Sequence, residues 1–191
     1  MTLRKIYISL LYSLFQSIWL LNFDAKAQST QEVSVEGTQA PEFSLPDLNG
    51  ELVSSVDYKG SYVVIHIATT WCPFCNAEAP HLEQLNQDYR DKNVKVLIID
   101  VKEPKDLVKT KLKDRFNLTF PVLLDSDGSV AASFAPDDVL PDLARDEVML
   151  ASNILIDPDG KIKFFSLLDS KNFDAKLVDL KANLDELLAS D

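Results

Sequence analysis

The sequence predicts an α/β domain with helices packed on both faces of a sheet, and three observations predict it. Two short, β-branched, largely apolar runs, Val63 to Ala68 and Val94 to Asp100, have the character of strands buried on both sides. Stretches with helical spacing of apolar residues alternate with them. The chain then closes with a hairpin pattern and one more amphipathic stretch, an order that layers helices against strands.

The elements follow in order. Phe43 to Leu45 and Leu52 to Ser54 flank Asn49-Gly50, a dipeptide suited to a tight turn, and predict an N-terminal hairpin. Val63 to Ala68 predicts a central strand. Cys72 to about Arg90 places Leu82, Leu85 and Tyr89 on one helical side, with Pro80 predicting a kink. Asp106 to Phe116 reads as a helix whose Lys109, Lys111, Lys113 and Arg115 form a solvated face. A short strand over Pro121 to Leu124 and a short helix over Ser129 to Phe134 come next. Ile154 to Asp157 and Ile162 to Ser166 surround Asp157-Pro158-Asp159-Gly160, a strong turn signal. Phe173 to Leu188, with Leu177, Leu180, Leu184 and Leu187 in register, predicts the closing helix.

Composition narrows function. A net charge of −11 gives a surface that repels phosphates, which argues against a nucleic-acid partner. Arg4 and Lys5 precede the uncharged, apolar run Ile6 to Phe23, and Ala25-Lys26-Ala27 follows. That layout predicts a signal peptide over residues 1–27 and a periplasmic location, the alternative being an uncleaved inner-membrane anchor. Residues 28–39 read as a flexible linker, and residues 40–191 as the folded domain.

The chain has 2 cysteines, both in Trp71-Cys72-Pro73-Phe74-Cys75. A disulfide between them closes too small a loop to constrain the unfolded chain, so stapling explains the pair poorly and reactivity explains it well. At the junction of a buried strand and a helix, the first cysteine sits among unpaired N–H groups that favour a thiolate. The second lies one turn later, placed to attack a mixed disulfide. Cys72 is therefore read as the nucleophile and Cys75 as the resolving thiol. Zinc needs four ligands, and no second pair exists to supply them, so no metal and no cofactor is expected.

Ala40-Pro41-Glu42-Phe43-Ser44-Leu45, Tyr58-Lys59-Gly60, Thr70-Trp71-Cys72-Pro73-Phe74-Cys75 and Glu78-Ala79-Pro80 together resemble the TlpA/ResA group of thioredoxin-superfamily, redoxin-related thiol-disulfide oxidoreductases. Phe120 to Asp125 and Ile154 to Ile162 match its later landmarks. The resemblance implies a thioredoxin-like fold, a central mixed β-sheet flanked by helices with an N-terminal hairpin extension. It also implies an exported protein disulfide reductase acting on oxidised protein thiols, including apocytochrome c, and recharged by a DsbD-like membrane donor. By the same resemblance Glu78 is a candidate to tune the thiols and move protons, the alternative being an ordinary first-turn glutamate favoured by the helix dipole. By analogy with the buried aspartate that thioredoxins place there, His66, six residues before Cys72, is a candidate to accept the Cys75 proton, the alternative being a buried histidine satisfied by a neighbour. Trp71, Pro73 and Phe74 shape the substrate contact.

Two departures qualify the resemblance. Proline follows the first cysteine rather than preceding the second. At the position where thioredoxin folds carry a cis-proline facing the dithiol, the sequence has Ala151, for which a trans bond is expected because a cis bond there costs about 3 kcal/mol. Ala151 is thus placed in an altered substrate groove, beside an acidic insertion between Phe134 and Ala151. A disulfide oxidase or isomerase is the main competing function. A thiol peroxidase is disfavoured by Ile65 and by Ala151-Ser152-Asn153, where a proline and an arginine are needed, and a copper-binding thiol chaperone by the close Cys spacing.

Overall fold

The computed structural model describes residues 35–190. The leader expected over residues 1–27 lies outside them. Among the described residues, no helix is long and apolar enough to cross a membrane.

A small hairpin comes first: β1 (Ser44–Pro46) pairs antiparallel with β2 (Leu52–Ser54). Asp47 organises its turn by accepting the Asn49 and Glu51 N–H groups, and Gly50 supplies the positive φ of 88°. The main sheet has five strands in the order β5 (Val122–Asp125), β4 (Val94–Val101), β3 (Tyr62–Ala68), β6 (Ser152–Ile156) and β7 (Ile162–Ser166). β3, β4 and β5 run parallel, whereas β6 and β7 are antiparallel additions. This is the mixed sheet of a thioredoxin-like fold. All seven residues of β3 are buried, as its apolar run predicts for the middle of a sheet.

Alternation along each strand splits the core in two. Val64, Ala68, Val96, Ile98 and Leu155 pack against α1 (Pro73–Tyr89), α2 (Lys105–Val108) and α5 (Val178–Ser190). On the opposite face Ile65, Ile67, Leu97, Ile99 and Ile154 meet the hairpin residues Phe43 and Leu45 and α3 (Ser129–Phe134). A short α4 (Arg145–Val148) closes the acidic insertion, and Arg145 holds that loop by donating to the carbonyls of Pro136 and Val139.

Four local features differ from the sequence expectation. Residues 35–39, read as the end of a linker, are bound to the β6–β7 hairpin: Gly37 donates to Ile162 O at 2.7 Å, and Gln39 bridges Lys161. The helix expected over 106–116 is one α turn followed by a π-helical turn, Lys109–Asp114. Lys113 leaves the solvated face there, because its Nζ donates to Phe120 O at 2.6 Å. The closing helix begins at Val178 rather than Phe173, since Leu177 takes φ 57° and cannot continue a right-handed helix. Asp174 instead accepts the Asp179 N–H, leaving Phe173 in the preceding turn.

Candidate active site

The dithiol sits where β3 ends and α1 begins. Pro73 occupies the first helical turn, where its missing N–H costs nothing, and Cys72 is the N-cap. Cys72 Sγ accepts the Cys75 N–H at 3.3 Å, a cap made by sulfur in place of the usual side-chain oxygen. Both cysteines are buried. The adjacent Cys75 thiol draws the Cys72 thiol well below its usual range, against the cost of burial, with the N–H groups of Cys75 and Phe74 adding to the effect. The pairing of the two thiols, then burial and the charge of Cys72, pushes Cys75 far up. The pair therefore has one readily formed thiolate, at Cys72, and one retained proton, on Cys75.

The loop ahead of Cys72 is fastened from two sides. Asn76 donates Nδ2 to the carbonyls of Thr70 and Cys72, both at 2.9 Å. Glu103, just after β4, accepts both the N–H and the hydroxyl of Thr70. Behind it, Asp100 is fully buried and pushed up to about 8 by burial and by Glu103. Trp71 projects from this loop with 67% of its surface exposed. Phe74 is half-buried, its ring edge-on to Phe173 at 4.9 Å and 72°.

Beneath the dithiol lies a buried polar cluster. Glu78, one turn along α1 from Cys75, is only 2% exposed. Burial pushes its carboxyl up to about 8; the Asn153 hydrogen bond opposes this, and the charges of Cys72 and Asp174 reinforce it. Asn153 Nδ2 donates to Glu78 Oε1 at 2.8 Å, while Asn153 Oδ1 lies 2.9 Å from His66 Nδ1. Burial lowers His66 to about 4, so the imidazole is neutral at ordinary pH. A cleft lined by Glu78, Ala151, Asn153, Phe173, Asp174 and Leu180 flanks the cluster.

Trp71, Cys72, Pro73, Phe74, Cys75 and Glu78 are thus gathered in one place. His66 lies on the same face of β3, but its Nδ1 is engaged by Asn153 rather than by Cys75, and a neutral imidazole with so low a pKa is a weak base. Ala151 is buried, with φ 60° and its N–H donated to Ile67 O at 2.9 Å, so that N–H is not offered to a substrate strand. No cis peptide occurs among the described residues. Asn153, Asn76, Asp100 and Glu103 escaped the sequence reading. Each acts through a partner brought in by folding, and no local spacing announces it.

The profile of the AhpC/TSA family matches residues 36–165. The thiol-disulfide oxidoreductase ResA of Bacillus thuringiensis subsp. konkukian is 33% identical over 134 residues, covering 70% of each chain. The thioredoxin-like protein YneN of Bacillus subtilis is 39% identical over 102 residues, or 52% of this chain and 60% of that one. Among solved structures, a secreted Mycobacterium tuberculosis disulfide oxidoreductase homologous to Escherichia coli DsbE superposes with a TM-score of 0.61 at 22% identity, covering 75% and 95% of the two chains. The thioredoxin domain of a Bacteroides vulgatus thiol-disulfide oxidoreductase gives 0.58 at 22%, covering 77% and 96%. At those identities the structures establish the fold.

Proposed function

Because the chain belongs to the AhpC/TSA family, and is within it a thiol-disulfide oxidoreductase of the ResA type, we propose that it reduces disulfides of exported partner proteins through Cys72 and Cys75. The observation that carries this reading is the asymmetric dithiol, one sulfur poised as thiolate and the other holding its proton. The Cys72 thiolate attacks one sulfur of the partner disulfide, forming a mixed disulfide and releasing a partner thiolate, which takes a proton. Cys75 then gives its proton to Glu78 in its ionised, carboxylate form and attacks Cys72 Sγ. The second partner thiolate leaves, and the dithiol becomes a disulfide. Two electrons have passed to the partner, and a membrane thiol donor of DsbD type returns them.

Trp71 and Phe74 supply the apolar contact around the reacting sulfur, with Pro73 holding the turn. The leader over residues 1–27 delivers the domain to the periplasm, and the haem-attachment cysteines of apocytochrome c are the proposed substrate class. The test is the reduction potential of the Cys72–Cys75 couple, read against glutathione or thioredoxin standards. A value near that of thioredoxin, about −270 mV, supports a reductase, whereas one near −120 mV overturns it in favour of an oxidase. Cys75→Ala expressed in the full chain traps partners as mixed disulfides. Recovery of cytochrome c precursors supports the substrate, and recovery of cytoplasmic proteins alone defeats the exported assignment.

A further inference from the structure

The cluster under the dithiol joins three elements. His66 and Asn153 are paired across β3 and β6, so both side chains emerge on the face that carries α1 and Glu78. His66, Asn153 and Glu78 are 0%, 5% and 2% exposed. Since Asn153 turns its NH2 toward Glu78 Oε1, its carbonyl oxygen faces the imidazole, and His66 Nδ1 must be the nitrogen that bears hydrogen. That tautomer leaves His66 Nε2 a bare acceptor without a hydrogen-bond partner. Turning the amide over would set the Asn153 NH2 against the imidazole N–H. His66 thus fixes the direction of the amide.

We propose that Asn153, locked by His66, is the positioning residue that sets whether Glu78 holds or releases its proton; this rests on the reading that Glu78 exchanges a proton with Cys75. The groups facing Glu78 are Cys72 and Cys75 from the start of α1, His66 from β3, Asn153 from β6 and Asp174 from the turn before α5. Burial and the anionic neighbours favour the protonated carboxyl. A donated N–H favours the ionised one, so Asn153 opposes them and holds Glu78 near the pH at which both states are populated. His66 acts here as a clamp, not as a base. Neither His66 nor Asn153 touches the reacting sulfurs in this assignment.

The test follows the Glu78 proton in two ways on the full chain: the infrared carbonyl band of the protonated carboxyl across pH, and the pH profile for resolution of a Cys72–glutathione mixed disulfide. Glu78→Gln should remove the Glu78 component of the band, leaving that of Asp100, and should abolish the corresponding limb of the profile. Asn153→Ala should move both midpoints upward by about one pH unit. His66→Leu should shift them in the same direction by less, and His66→Gln, which keeps an N–H for Asn153 Oδ1, should restore them. Unmoved midpoints in folded Asn153→Ala or His66→Leu overturn the positioning role while leaving Glu78 as the proton carrier. A limb that survives in Glu78→Gln overturns the underlying reading instead. If Asn153→Ala fails to fold, Asn153→Ser takes its place, because His66 Nδ1 also lies 3.4 Å from Glu78 Oε2 and the His66 variants report on both contacts.

Discussion

Cys72 and Cys75 are chemically alike in the unfolded chain, and the fold makes them different. Cys72 is an N-cap whose sulfur accepts the Cys75 N–H, whereas Cys75 Sγ lies 4.0 Å from the Ile67 carbonyl oxygen and sits above Glu78. Since the Cys75 thiol is the largest influence on Cys72, Cys75→Ala should raise the pH midpoint of Cys72 alkylation toward the free-thiol value of about 8.5. In the wild type, iodoacetamide should modify Cys72 alone, with a midpoint well below that value. An unchanged midpoint in Cys75→Ala would assign the effect to the helix terminus instead. The placement of Cys72 at a helix start, with Cys75 one turn on, was legible because two residues of spacing after a buried strand define it. His66 was legible only as an inward-facing residue. Its partner Asn153 lies 87 positions away, and strand pairing that brings β6 beside β3 leaves no local trace at His66.

At the scale of elements, the end of β4 controls the start of α1. Asp100 and Glu103 stand behind Thr70, and Glu103 alone satisfies both its N–H and its hydroxyl. Glu103→Ala should therefore free the 69–72 loop, costing about 2 kcal/mol in urea unfolding and slowing disulfide reduction at unchanged Cys72 reactivity toward iodoacetamide. Asp100→Asn should be nearly silent at pH 7, with a melting-temperature change of about 2 °C or less, because the residue it replaces is already protonated. A large loss in Asp100→Asn would mean that the buried group is an anion. Apolar periodicity located most helices and strands but misplaced one start. Phe173 and Leu177 fit the pattern of the closing helix, yet they reach the core from a turn, Phe173 against Phe74 and Leu177 at positive φ. Burial fixes the pattern, and the backbone has more than one way to satisfy it.

The whole molecule stores its proton chemistry as a pH-dependent stability. Burial is the chief cause that pushes Glu78 and Asp100 up to about 8 in the folded chain, from ordinary carboxyl values of 4.5 and 3.8. A raised carboxyl binds its proton more tightly folded than unfolded. The stability it contributes is complete below the unfolded value and is lost as pH rises through about 8. His66 has the opposite sign: lowered to about 4, it adds stability as pH climbs from there to 6.5 and nothing afterwards. Between pH 6.5 and 8 the two carboxyls therefore act without that compensation. In a Cys72→Ser/Cys75→Ser background, which removes the thiol titrations, urea unfolding should show stability falling across this window by up to about 2.7 kcal/mol per pH unit, the slope for two protons. Burial, the first cause of both shifts, is unchanged by the serines. Adding Glu78→Gln should halve the slope, and adding Asp100→Asn as well should flatten it. A flat profile in the starting background would show that neither carboxyl binds its proton more tightly folded than unfolded, and Glu78 would then not be the group poised to exchange a proton with Cys75.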